Sequence, residues 1–113
     1  MSAIANLTID QGATFSSNVN VKNSDGTSFN LTGHTVAAKM ALGFSSTRTR
    51  TVITSSVSNA TEGEISLTLT ATQTNALEAP ARYVYDVEVT RTADGNVTRV
   101  IEGIISTRPS VTT

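Results

Sequence analysis

Cysteine is absent from this sequence of 113 residues, and so is tryptophan. The first absence excludes a disulfide scaffold, a thiolate metal site and a cysteine nucleophile. Two tyrosines and three phenylalanines, scattered along the chain, are too few for a base-stacking platform. The single histidine, His34, makes neither a catalytic triad nor a metal site without partners. Charge is scarce too: 15% of residues are charged and the net charge is −1, against a usual charged share of about 25%. No basic field exists to gather nucleic acid, and no basic amphipathic segment to hold a membrane. No apolar run approaches the roughly 20 residues of a spanning helix. The start, MSAIANLTIDQG, has neither the cationic head nor the apolar stretch of a secretory signal.

Serine and threonine fill the gap, at 33 of 113 residues. They sit within a period-two alternation that runs almost throughout, the mark of half-buried strands. TFSSNVNVK places Phe15, Val19 and Val21 on one face. TVAAKMAL places Val36, Ala38 and Met40 on one face and Ala37, Lys39 and Ala41 on the other. TVITSSV follows a polar, glycine-led loop over residues 43–51. EISLTLT points Ile65, Leu67 and Leu69 inward. Asp25-Gly26 supplies the positive φ of a tight reversal. One helical signal interrupts the strands: Thr70 and Gln73 have capping-box spacing, and Pro80 stops anything long, so a short helical turn is expected near residues 71–77. Strands about ten residues apart, separated by Gly and Asp turns, indicate a two-sheet sandwich. No repeat or linker divides the chain, so residues 1–113 read as one all-β domain. At this size about 65% of the unfolded surface is buried, enough for a core without metals or disulfides.

The stretch RYVYDVEVTRTADGNVTRVIEGIIS, residues 82–106, reads as a long hairpin. With Thr92–Asn96 as its loop, Arg91 faces Val97, Val89 faces Arg99, Val87 faces Ile101, Tyr85 faces Gly103 and Tyr83 faces Ile105. Tyr83, Tyr85, Val87, Ile101 and Ile105 then line the core, with Gly103 leaving room for the Tyr85 ring. The other face carries Val84, Asp86, Glu88, Val100, Glu102 and Ile104. Asp86 and Glu102 become direct neighbours, an unfavourable pairing of like charges. Solvent or a cation from elsewhere must relieve it, and the aliphatics beside the acids point to a face covered by a partner.

These carboxylates suit Ca²⁺ or acid–base work in principle. Alternating acids on a strand are ordinary, however, and no His or Asn is placed with them, so they are expected to be a strand face. His34 lies at a turn and reads as structural. Arg48 and Arg50 alternate in the 43–51 loop, where a solvated role or contact with an acidic protein surface is expected. No nucleophile elbow and no phosphate-binding glycine spacing occurs. The residues point to no catalysis and no cofactor.

Four segments, in order, carry a resemblance: LTIDQGATF at Leu7–Phe15, SDGTSFNLTGHT at Ser24–Thr35, GEISLTLTATQTNAL at Gly63–Leu77, and ARYVYDVEVT followed by GNVTRVIEGII between Ala81 and Ile105. Together they resemble the small β-sandwich virion proteins of tailed bacteriophages, common among cyanobacterial phages. They are similar also to the N-terminal domain of phage baseplate upper proteins. The resemblance implies an immunoglobulin-like, two-sheet antiparallel β-sandwich. It implies a non-enzymatic virion component, assembled in the host cytoplasm, whose partners are other virion proteins and copies of itself in a symmetric array. In baseplate upper proteins further modules follow this domain. Here the sequence ends at Thr113, so the expectation is a head, neck or tail decoration, or an adaptor for a fibre. The expected interface comprises Val84, Asp86, Glu88, Val100, Glu102 and Ile104, with Arg48 and Arg50 of a neighbour as complement. A second expectation is a stand-alone module that binds a host-surface carbohydrate or protein through the 43–51 loop.

Overall fold

The computed structural model describes residues 3–23, 25–43 and 50–111. The described residues form eight strands and one short helix: β1 (Ala3–Ile4), β2 (Leu7–Asp10), β3 (Phe15–Asn20), β4 (His34–Ala41), β5 (Thr51–Asn59), β6 (Glu64–Leu69), α1 (Ala71–Asn75), β7 (Ala81–Arg91) and β8 (Val97–Arg108). The fold is all-β, as the alternation predicts.

A single hydrogen-bonded path runs β1–β8–β7–β4–β5–β6–β3, with β2 also on β8. Strand β5 divides the path. Thr51–Ile53 pair with β4, whereas Thr54–Asn59 pair with β6. The path therefore has two arms, β8–β7–β4 and β6–β3, whose inward side chains meet in one core. Ile9, Ile65, Leu67, Val87 and Ile105 are fully buried there. Burial of such aliphatics contributes about 1.5–3 kcal/mol each.

The expected antiparallel arrangement holds at every pairing except two. The outer edge of β8 receives β1 and β2 in parallel, with Leu7 against Ile105 and Asp10 against Arg108. The helix is shorter than expected, yet its start is as predicted. The Thr70 hydroxyl accepts from the Gln73 amide, and the Gln73 side chain accepts from the Thr70 amide. At Asn23–Thr27 the Asp25 carboxylate accepts from the amide and the hydroxyl of Thr27. Gly26 supplies the positive φ there.

His34 is the first residue of β4 and not part of a free turn. Its ring packs edge-on against Phe29, with centroids 5.5 Å apart, and its Nδ1 lies 3.2 Å from the Thr32 carbonyl.

Gly103 does face Tyr85, as the hairpin register predicts, but the space beside it is not used by the ring. The main chain of Ala5 occupies it, so closely that a Cβ on residue 103 would overlap the Ala5 carbonyl. That carbonyl accepts a 2.5 Å hydrogen bond from the Tyr85 hydroxyl. The Ile104 amide donates to the Asn6 side chain, and the Ala5 amide donates to the Glu102 carbonyl. The N-terminal segment is thus strapped across β8 by main-chain contact that only glycine permits.

Candidate functional site: the outer face of β4, β7 and β8

The hairpin follows its predicted register from Tyr83–Ile105 to Val87–Ile101. It then slips by one, so that Glu88 faces Arg99, Val89 faces Thr98 and Thr90 faces Val97. Val100 is the extra residue of a β-bulge. Both Val100 and Ile101 turn inward, 3% and 1% exposed. Val100 therefore belongs to the core and not to the outer face assigned to it. The bulge has a chemical reason visible in the sequence. A straight register places Arg99 opposite buried Val89, at the cost of an unpaired guanidinium in the core. One added residue sends Arg99 outward and gives the core a valine instead.

Once outward, Arg99 becomes the cation that the facing acids call for. Its Nε lies 3.3 Å from Asp86 Oδ2 and its Nη1 lies 3.4 Å from Glu102 Oε2. All three side chains are partly exposed, so each contact contributes at most about 1 kcal/mol. Their effect is on arrangement: they order the centre of the face and remove the Asp86–Glu102 repulsion.

Lys39 sits across from Asp86 on β4, and Ala41 across from Val84. Lys39, Arg50, Val84, Asp86, Glu88 and Arg99 surround an open depression of about 270 Å³. The Arg50 guanidinium also donates to the Gly43 carbonyl. Arg50 thus belongs to the same face of its own chain, where it was expected to serve a neighbour. Arg48 and the rest of residues 44–49 lie outside the described residues. Lys39 and Glu88 form no ion pair with a described residue. With three cations, Lys39, Arg50 and Arg99, set among the acids Asp86, Glu88 and Glu102, the face is charge-balanced and not acidic.

The aliphatic part of this face is larger than expected. The residues at paired positions share a face, so Ile4 joins Glu102, Val52 joins Lys39, Val97 joins Thr90 and Ile104 joins Val84. These four are 75%, 60%, 55% and 40% exposed, and they include most of the large aliphatics that the described residues leave in solvent. Val52 and Ile4 escaped the sequence reading because the hairpin alone does not reveal which strands flank it. Period-two alternation in TVITSSV already set Val52 opposite to Ile53, and this was the available signal.

Among the described residues, no cluster of three or more His, Asp or Glu is placed to hold a metal ion, and no helix is long and apolar enough to cross a membrane. What the arrangement offers chemically is recognition: aliphatic contacts at the periphery around a centre of both charges. No protein-family model matches the chain, and no curated protein matches it at a significant level.

Proposed function

We propose that this chain is a structural module of a tailed-phage virion that acts by protein–protein assembly, with the outer face of β4, β7 and β8 as its attachment surface. The observation that carries the reading is the concentration of Ile4, Val52, Val97 and Ile104 on that one face, around ordered charges. Aliphatics exposed together, rimmed by polar groups, mark interaction surfaces. Complementary charge then selects the partner and fixes its orientation. The strand order supports the finer, immunoglobulin-like description. β7 and β8 lie between β4 and a parallel N-terminal strand, β3 and β6 form the second layer, and β5 changes layer midway.

The host-surface alternative draws on residues 43–51, of which Gly43, Arg50 and Thr51 are described. Because Arg50 borders the depression, that reading and the assembly reading compete for one surface. Mass spectrometry of purified particles decides between virion and non-virion roles, and absence of the chain from particles ends the proposal. A folded double variant, Val97→Asp with Ile104→Asp, is expected to fail to incorporate while its circular dichroism stays unchanged. Normal incorporation of that variant moves the attachment surface elsewhere.

A further inference from the structure

The two ends of the strand path are protected unequally. At one end, β1 and β2 are two and four residues long and are separated by the kink at Ala5–Asn6. Asp10, the last residue of β2, pairs with Arg108 at 3.3 Å. Shortness, irregularity and charge are the devices that keep edge strands from pairing with other chains. Residues 54–59 of β5, which leave β4 behind, carry a bulge at Ser58.

The other end, β3, has none of these. Its six residues, FSSNVN, pair with β6 in unbroken register from Phe15 to Asn20. It contains no charge, no proline and no bulge. Among the described residues, no main-chain hydrogen bond reaches the side of β3 remote from β6. A cleft of about 340 Å³ lies between its first half and β2, so β2 does not cover it. Phe15 and Val19 accordingly keep 9% and 7% exposure, whereas Ile65 and Leu67 on the adjacent strand keep none.

We propose that β3 is a strand-addition edge and that its occupant is β3 of a second copy of this chain, antiparallel about a two-fold axis at Ser17. The choice of occupant follows from charge. A two-fold pair sets a strand against its own sequence, so any ionised residue meets its like within cross-strand reach. A strand of Phe, Ser, Asn and Val meets no such penalty. The chain's net charge of −1 adds little long-range repulsion. The register follows from burial. Cross-strand partners share a face, so inward residues must meet inward residues. Centring the pair on Ser17 sets Phe15 against the partner's Val19 twice over, covering the exposure that both retain at this edge. Outside, Ser16 meets the partner's Asn18. The result is a continuous run β5–β6–β3–β3–β6–β5. This contact lies on the opposite arm from the proposed attachment face and does not depend on it.

Because the chain has no cysteine, a single introduced thiol reports the register. Ser17→Cys is expected to cross-link between copies on mild oxidation, since directly opposed Cβ atoms lie about 4.5–5.5 Å apart, near the disulfide range. Ser66→Cys, one strand further in on β6, is expected not to. Sedimentation of the unmodified chain is expected to show a monomer–dimer equilibrium. Asn18→Lys or, if that variant does not fold, Ser16→Lys is expected to raise the dissociation constant about tenfold or more. A chain that stays monomeric up to millimolar concentration overturns the proposal. So does equal cross-linking of Ser17→Cys and Ser66→Cys. A dimer untouched by either lysine but lost in Ile104→Asp also overturns it, and assigns self-association to the β8 face.

Discussion

The outer faces of the two arms obey the same alternation and differ in what it leaves outside. On the β3–β6 arm, Ser16 lies beside Thr68 and Thr54, and Asn18 beside Ser66 and Ser56. This surface is almost entirely hydroxyl and amide, with Glu64 as its charge. On the β4–β7–β8 arm the corresponding positions carry Lys39, Asp86, Glu88, Arg99 and Glu102, with the exposed aliphatics around them. Folding alone does not require the difference. The inward residues supply the core for both arms, and small polar residues outside serve a strand well enough. Ordered charge and exposed aliphatics are additions, and the proposed attachment surface is built from them.

Five substitutions separate what both faces share from what belongs to one. The largest effect is expected from Tyr85→Ala, which empties a shared core site and costs about 3–5 kcal/mol in chemical denaturation. Both arms should unfold together; independent melting of the β3–β6 arm would break the comparison at its root. Gly103→Ala comes next, at about 1–3 kcal/mol, because its Cβ must displace the Ala5 main chain. Its damage is expected to stay on one arm. Hydrogen exchange should accelerate over residues 3–10 and remain unchanged over β3 and β6.

Tyr85→Phe is expected to cost about 1 kcal/mol at neutral pH through loss of the bond to Ala5, and it carries a pH signature. Burial pushes the Tyr85 hydroxyl up from 10 to about 12. Above pH 10 the unfolded chain loses this proton while the folded chain keeps it. Stability is therefore fully present below pH 10 and falls as pH rises toward 12, by roughly 1.4 kcal/mol per unit at most. The phenylalanine variant should lack the part of that fall due to Tyr85, and equal slopes for both proteins would show the hydroxyl to be solvated. A smaller effect is expected from Arg99→Ala, about 1 kcal/mol or less and weaker in high salt, because Asp86 then faces Glu102 unrelieved. Ser66→Ala on the opposite face is expected to stay within about 0.5 kcal/mol. Equal effects at Arg99 and Ser66 would remove the distinction between the faces.

Much of this was legible in the residues. Alternation divided β3 and β4 into two faces and pointed Ile65, Leu67 and Leu69 of β6 inward, and the turn residues located the hairpin loop. The hairpin register held from Tyr83 to Val87. Thr70 and Gln73 announced the helix because a capping box is a local device. Reading failed where a distant partner decides. β1 and β2 are too short to signal strands by themselves, and their parallel pairing with β8 closes a loop of nearly a hundred residues. The role of Gly103 stayed hidden for the same reason, since the atom that fills its space belongs to Ala5. The bulge at Val100 was a different failure. Burying Arg99 was a contradiction within the straight register, and the cost of an unpaired guanidinium in the core is enough to resolve it.

The parallel lie of the N-terminal segment along β8 has a mechanical consequence. Ala3 pairs with Ile101 and Asp10 with Arg108, so tension drawn between the Ala3 end and the Arg108 end pulls these strands lengthwise past each other. Hydrogen bonds loaded that way share the force and must yield together, whereas a hairpin pulled at its open end peels one bond at a time. The strap over Gly103 is therefore a clasp, rigid along the line of pull and opened only from the side.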